Sequence, residues 1–465
     1  MSIQSPYIAG KPGPNPAVSP AWTSTPYYRA LNEVPDTPAM GEFLADQVIS
    51  PECLHDFRLT WIKVKPGKSV RLLYRAQGAD FPGQQYFFHA RTASPETGPA
   101  QAEALQARCF TPEHRHLFGK ARRAAVYASP WHLLIQVFPA DPGLPGLPRV
   151  VHSREVAKML SSVIPECDGA CAQVEADVVQ YKPRRQCLIR YTLTTASVTE
   201  SGECRKIFYG KLSPRALPVY TRLRQLHRVW SGGIFRFPEP AAFFPEPGLM
   251  LCREIPGVHL SLLPGEARFS ELCARIGRGL GEFHRSPVRF VPRKDAAAEL
   301  EALNYWGERF LRWFPEEAPR LRRLMEGIRI HFTRYTSPIF APVHGDFHVA
   351  NILVDGERLG LLDLEDGYMG NPAADVGFFY AQLKLLSLKV YRSPEALNEA
   401  LQAFLEAYLT PAPRDVRAMV PGYCALYCLW CAYFQCFLRP TKSGWWERGQ
   451  FMLQICEDII ARGTV

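Results

Sequence analysis

The stretch "VHGDFHVANILVDGERLGLLDLED" constrains the chain more than any other. An acid at Asp346 is followed five residues later by the amide Asn351, and twelve residues after that by a second acid, Asp363. The intervening residues are two short apolar runs around Asp355-Gly356, which reads as a tight β-hairpin. A hairpin that short returns the chain on itself and brings Asp363 back beside Asn351. The residues before it form a loop that turns Asp346 to the same point. An acidic loop that merely capped helices would have no need of this spacing.

The rest of the composition bounds the setting. At 465 residues the chain is too long for one ordinary core, so two or three domains are expected. Hydrophobic residues at 47% and charged residues at 21% are those of a globular protein. The net charge of +9 is spread along the length, which favours anionic ligands in general and argues against nucleic acid as a partner. The first twenty residues lack a basic start followed by an apolar stretch, and the 13 cysteines are an odd number. Reduced thiols in a cytoplasmic protein are therefore expected. Met419 to Leu438 is uncharged, but Pro421 and Gly422 break its start. The roughly 16 residues left reach only ~24 Å as a helix, short of a ~30 Å bilayer core, so a buried helix and no membrane partner are expected.

Along the chain, residues 1–40 are rich in proline, serine and threonine and read as a poorly ordered arm. Residues 41–150 and 151–257 are both β-rich. "LTWIKVKPGKSVRLLYRA" and "DVVQYKPRRQCLIRYTL" share a strand, a Lys-Pro turn and a strand ending Arg-Tyr, with Lys65 nine residues before Tyr74 and Lys182 nine before Tyr191. Each is followed by a further strand ("QYFFHARTASP", "KIFYGKLSP") and then by an apolar strand ending in proline ("WHLLIQVFP", "LMLCREIPG"). We read this as a duplicated unit. From residue 258 to 465 the spacing of apolar residues is helical, interrupted by short strands between 340 and 365.

Phosphoryl transfer from ATP needs a carboxylate near the acceptor hydroxyl and hard oxygen ligands for magnesium, and an Asp, an Asn and a second Asp after a hairpin supply both. With "HGDFHVANILV", "GLLDLED", "GNPAAD" and the upstream "LGEFHRSP", the chain resembles the aminoglycoside phosphotransferase and choline kinase-like family over roughly residues 160–440. The resemblance implies an α+β, protein kinase-like bilobal fold. It would have a β-rich small lobe at 151–257, a mostly helical large lobe at 258–465, and an extra N-terminal β-rich domain as a degenerate copy of the small lobe. It also implies roles: Asp346 as catalytic base, Asn351 and Asp363 as magnesium ligands, and His344 and Asp375 as supports of the loop. His348 reads as a structural hydrogen-bonding residue before a proton carrier.

At the nucleotide end, Lys211 in "IFYGKLS" stands where the family's phosphate-binding lysine does. The loop "KPRRQ" stands where a phosphate-covering loop would, with Lys182, Arg184 and Arg185 in place of glycines. The hinge falls at "LMLCREIPG", with the backbone near Arg253 and Ile255 expected to meet adenine. One part is missing. No Glu or Asp occurs from Leu212 to Phe237, where the lysine's helix partner should lie, and Glu239 is the nearest. Glu365 and Asp366 read as substrate-facing or as part of the magnesium shell. Cys424, Cys428, Cys431 and Cys436 read as buried thiols and not a metal site, and Trp445 and Trp446 as the end of the helical lobe.

The expectation is thus an ATP- and Mg2+-dependent phosphotransferase acting on a hydroxyl of a small molecule such as an amino alcohol, a sugar or an aminoglycoside-like compound. The alternative, prompted by the missing glutamate, is a nucleotide-binding pseudokinase or assembly module. Neither the acceptor nor the oligomeric state follows from the residues.

Overall fold

The structure is a computed structural model that describes residues 34–65, 69–78, 85–161, 173–196, 203–230, 232–335, 337–438 and 444–465. Most of the expected arm, residues 1–33, lies outside the described residues. Its last residues instead open helix α1 (Thr37–Gln47), because Asp36 accepts the Ala39 N–H and Pro38 sits in the first turn.

A five-stranded antiparallel sheet follows, built from β1 (His55–Lys65), β2 (Ser69–Gln77), β3 (Gln85–Thr92), β4 (Ala125–Ala128) and β5 (Leu133–Val137) in the order β1-β2-β3-β5-β4, with α2 (Gly98–Cys109) after the third strand. Helices α3 (Leu147–Val151) and α4 (Ser153–Ser161) lead to a second sheet. It comprises β6 (Gln173–Lys182), β7 (Gln186–Ala196), β8 (Glu203–Leu212), β10 (Pro240–Phe244) and β11 (Leu249–Arg253), with α5 (Ala216–Val229) after its third strand. Its order, β10-β11-β8-β7-β6, is that of the first sheet read from the other end.

The registers agree as well. Tyr74 pairs with Phe88 and Arg71 with Arg91 in the first sheet; Tyr191 pairs with Phe208 and Leu188 with Lys211 in the second. Arg91 and Lys211 therefore occupy the same place, three residues beyond a buried phenylalanine opposite a buried tyrosine. Each tyrosine hydroxyl donates to a carbonyl of the segment leading into its sheet, Tyr74 to Pro35 (3.4 Å) and Tyr191 to Val150 (2.8 Å). Burial of Phe88 and Phe208 contributes about 2–3 kcal/mol each.

Alternation along β7 sends Cys187, Ile189, Tyr191 and Leu193 to one face. That face packs on α3 and α4 and on Leu73 and Phe87 of the first sheet, and the rings of Phe87 and Phe138 meet Tyr181 at 5.7 and 5.1 Å. The opposite face carries Lys211, Met250 and Cys252 toward the helical lobe.

That lobe contains α6 (Phe269–Arg285), α7 (Ala296–Trp313), α8 (Ala318–Arg334), α9 (Ala373–Tyr391), α10 (Asn398–Leu409), α11 (Arg414–Leu438) and α12 (Trp445–Arg462). Short strands β12 (Val258–His259), β14 (Ile352–Asp355), β15 (Arg358–Leu361) and β9 (Phe235–Arg236) form one small sheet, and β13 (Ala341–Val343) with β16 (Tyr368–Gly370) another. Together the two five-stranded sheets and the helical part make a mixed α+β fold. The first sheet also reaches the helical lobe, where α11 lies against β1.

Two local expectations are corrected. The hairpin pairs Asp355 with Arg358, so its turn residues are Gly356 and Glu357, one residue later than expected, and Gly356 takes the positive φ of 56°. Pro421 and Gly422 do not break the helix, since α11 runs through both. Packing overrides propensity there: Met419, Val420 and Tyr423 are buried, and the Gly422 backbone lies against the His331 ring. Among the described residues no helix is long and apolar enough to cross a membrane. The ten described cysteines are free, and those of α11 are buried with their thiols pushed up by desolvation.

Candidate active site

Strand β13 ends at His344, where the loop is anchored from below. The buried carboxylate of Asp375, in the first turn of α9, accepts the backbone N–H of His344 (2.7 Å) and of Gly345 (2.9 Å). His284, near the end of α6 in "LGEFHRSP", holds Asp375 at 3.1 Å and meets the Tyr408 hydroxyl at 2.8 Å on its other ring nitrogen. Gly345 has φ +79°, and any side chain there would collide with the carbonyl oxygen of Asp366. His344 joins the two halves of the motif: Nδ1 accepts the Asp346 N–H at 3.3 Å, and Nε2–H donates to the Leu362 carbonyl at 2.7 Å. Both expected supports, His344 and Asp375, thus hold backbone.

Asp346 and Asn351 are joined directly, and Asp363 follows Leu362, whose N–H donates to the Asn351 carbonyl at 2.8 Å. Asn351 Nδ2 donates to the Asp346 carbonyl (2.9 Å) and to its Oδ2 (3.2 Å), which leaves the amide oxygen uncommitted. His348 caps the short turn at 349–351, its Nδ1 accepting the Ala350 N–H at 3.1 Å. The neutral ring then carries its proton on Nε2, which lies 3.4 Å from Asp346 Oδ2. Hydrogen bonding within the loop is therefore what places His348. Asp363 adopts φ 59°, ψ 65°, a left-handed conformation held by its neighbours at a site of expected function.

Lys211 crosses from the small lobe to this point. Its Nζ lies 2.9 Å from Asp363 Oδ1 and 2.6 Å from Glu365 Oε2, with the ammonium almost fully buried. Burial opposes the charged form of Lys211, but the two carboxylates outweigh it and its pKa is raised. Burial likewise pushes Asp363 up, and Lys211, with His344 and Lys182, outweighs it and holds the carboxyl below its ordinary value. Lys182 also faces this pair; desolvation and the neighbouring Lys211 and Arg185 lower its pKa against the pull of Asp363.

Where α5 offers Lys211 no acid, the carboxylate it meets is that of Glu365, almost buried on the loop after Asp363, and α5 and the turn before it carry arginines. Arg215 pairs with Glu365 (3.1 Å) and Asp366 (3.0 Å), and Arg222 donates to the carbonyls of Leu364 (3.0 Å) and Glu365 (2.6 Å). Glu365 therefore faces Lys211 and Arg215, which corrects the substrate-facing reading. The clue in the sequence was the pair of acids directly after Asp363 together with the arginine-rich α5. Arg215 and Arg222 were not singled out because only the fold brings them to the loop.

The "KPRRQ" turn is held by the first domain. Asp141 Oδ2 accepts the Arg184 N–H (2.7 Å) and the Tyr181 hydroxyl (2.8 Å), while Oδ1 accepts the Gly143 N–H (2.8 Å). Arg184 sits at φ 62°, and a Cβ on Gly143 would lie 2.7 Å from the Arg184 Cα. Lys182 faces Asp363 and Lys211, while Arg184 lies near Arg91 and Arg185 near Lys63 of the first sheet. At the hinge, the expectation for Arg253 is corrected. Its N–H is taken by the Glu239 carbonyl (2.9 Å), and its side chain lies by Glu239 and over Phe208. Glu254 N–H goes to Ile207, which leaves the Ile255 backbone as the unpaired stretch among the described residues.

Residues 215–419 match the family model described as the phosphotransferase enzyme family. No curated protein matches it. Among solved structures it is similar to a choline/ethanolamine kinase family protein from Mesorhizobium loti (19% identity, 66% of this chain and 94% of that one, TM-score 0.45). It is also similar to a choline kinase from Cryptosporidium parvum (11%, 66% and 95%, 0.45) and to an aminoglycoside phosphotransferase solved with GDP and kanamycin (14%, 65% and 98%, 0.44).

Proposed function

We propose that this chain transfers the γ-phosphoryl group of ATP, with magnesium, to a hydroxyl of a small molecule. The observation that carries the reading is the convergence of Asp346, Asn351, Asp363 and Lys211, from three separate stretches of chain, on one cleft between the lobes. Asp346 accepts the acceptor hydroxyl's proton as the new O–P bond forms and the bond to the β-phosphate breaks, releasing ADP. His348 Nε2–H steadies the Asp346 carboxylate. Lys211 and Lys182 bind the nucleotide phosphates, and the Ile255 backbone meets the adenine.

Among the described residues no three His, Cys, Asp or Glu side chains converge as a metal site. The donor set still suits magnesium, which takes few protein ligands and keeps water and phosphate oxygens. Asp363, held ionised, and the uncommitted Asn351 oxygen are those ligands. Magnesium would supply charge neutralisation at the phosphates.

The small lobe spans 151–257 and the catalytic lobe 258–465, and the N-terminal sheet is a degenerate copy of the small lobe, as its strand order and register support. The pseudokinase alternative rested on a lysine without a carboxylate, and Glu365 beside Lys211 removes that motive.

The test is thermal melting of wild type and Asp363→Ala with ATP, with magnesium, and with both. Stabilisation by the pair, absent in the variant, is expected. No shift in wild type at millimolar nucleotide would overturn the reading.

A further inference from the structure

The junction between the first sheet, the "KPRRQ" turn and α7 gathers cations of one sign. Lys63 pairs directly with Arg71, and Arg71 with Arg91, so three half-buried cations stand side by side across β1, β2 and β3. Like charges directly opposite on neighbouring strands destabilise a sheet. Their face is the one that carries Leu73 and Phe87 against the small lobe, and Arg184 and Arg185 come to it on the turn that Asp141 holds.

Arg309 approaches from the helical lobe. It stands between the rings of Tyr305 (5.3 Å) and Tyr433 (5.9 Å) and donates to the Tyr305 hydroxyl. The charges feel one another: desolvation, then Lys65, Arg185, Arg71 and Arg309, depress the Lys63 ammonium, and desolvation, then Arg184 and Arg71, depress Arg91.

Compensation is scarce. Asp141 spends its oxygens on Gly143, Tyr181 and the Arg184 N–H. Arg91 has only the neutral Gln101 at 2.8 Å. Among the described residues no carboxylate lies within ion-pair distance of Lys63, Arg71, Arg91, Arg184, Arg185 or Arg309. The Nε atoms of Arg91 and Arg309 are shut away from solvent with no hydrogen-bond partner.

The cluster is joined to the reaction centre by an aromatic wall. From His348, which touches Asp346, the rings run through Phe378 (6.2 Å) and Trp430 (5.2 Å) to Trp306 (6.4 Å), one helical turn before Arg309 on α7. At its other end the "KPRRQ" turn brings Lys182 to Asp363 and Lys211. The cations thus run from Lys182, beside Asp363 and Lys211, through Arg185 to Lys63, Arg71 and Arg91 of the first sheet.

We propose that this cluster is an acceptor subsite, and that the acceptor is a hydroxyl compound already bearing a phosphoryl group, such as a sugar or polyol phosphate. The inference rests on the phosphotransferase reading and narrows it. A phosphate monoester carries nearly two negative charges at neutral pH and offsets several cations, and its arginine contacts are charge-assisted. A cationic amino alcohol or aminoglycoside would meet like charge instead. The N-terminal sheet then supplies half of the acceptor site, and the product is a bisphosphate.

The test uses the full chain, saturated with AMP-PNP and magnesium so that the nucleotide site is filled, and inorganic pyrophosphate as the probe. In wild type, pyrophosphate is expected to raise the melting temperature further; in K63Q/R71Q that increment is lost while the AMP-PNP increment remains. The charge-keeping K63R/R71K is expected to retain both. K63Q/R71Q alone should melt no lower than wild type, because repulsion is relieved. An ATP-consumption panel of matched sugars and polyols, with and without phosphate, should respond only to the phosphorylated members, with KM at least tenfold higher in K63Q/R71Q and kcat little changed.

A pyrophosphate increment that vanishes once AMP-PNP is bound would make the cluster part of the nucleotide site and overturn the proposal. So would equal turnover of neutral or cationic acceptors by wild type and K63Q/R71Q. ATP consumption with no acceptor at all, beside an intact Lys63- and Arg71-dependent increment, would overturn the phosphotransferase reading and leave the anion site standing.

Discussion

The two five-stranded sheets share one strand order and one register, yet it is the second whose third-strand cation meets the loop of Asp363 and Glu365. In the first, the third-strand cation Arg91 finds Gln101 on the helix that follows it, within its own unit. In the second, Lys211 finds no acid on α5 and reaches instead across the cleft to Asp363 and Glu365. The frame is therefore neutral with respect to chemistry. The same position closes a local contact in one sheet and joins two lobes in the other, and what decides is which surface lies opposite. The first unit also supports the second, through Asp141 under the "KPRRQ" turn.

The sharpest test of this contrast is Asp346→Asn. Turnover should fall by roughly 10²–10⁴ with the fold intact, as for loss of a general base. No single substitution in the first sheet should approach that loss; one that did would break the division of labour. Steady-state kinetics with a circular dichroism control checks it.

A smaller effect is expected for Asp141→Asn, which weakens the acceptor of the Arg184 N–H and the Tyr181 hydroxyl. Hydrogen bonds to a charged group are worth about 1.5–3 kcal/mol. KM for ATP should rise about tenfold while kcat changes little, and the melting temperature should fall. An unchanged KM would separate the first sheet from nucleotide binding.

The smallest effect concerns acid stability. Asp363 is depressed in the folded state, so its contribution is present above the unfolded value and is lost as pH falls through the lower folded value. Asp363→Asn should therefore flatten the decline in melting temperature on the acid side of the ordinary carboxylate range and leave the curve at neutral pH with the same slope. An equally steep acid limb would show that Lys211 does not hold this carboxyl down.

Much of the site was legible because it is local. Asp346, Asn351 and Asp363 are bound by a hairpin whose geometry follows from a few residues, and Asp375 begins a helix whose asparagine and proline announce it. The hairpin turn was misplaced by one residue because Asp355-Gly356 and Gly356-Glu357 are both acceptable turn pairs, and only strand pairing chooses between them. Pro421 misled because a breaker in isolation is tolerated in a helix packed on both sides. Arg253 was expected to offer backbone to a ligand; the carbonyl of Glu239, just before β10, takes its N–H.

By itself the amino-acid sequence determined the local spacings: the acid–amide–acid motif, the paired hairpins, the lysine on the third strand and the helical periodicity beyond residue 258. Only the tertiary structure decided who partners whom across the cleft. Lys211 meets a carboxylate 152 residues away, and Asp141 holds a turn 43 residues on. Short-range geometry is set by backbone rules that act on neighbours in the chain. Charge pairing acts through space and depends on burial, so it becomes fixed only when packed surfaces bring distant groups together out of water.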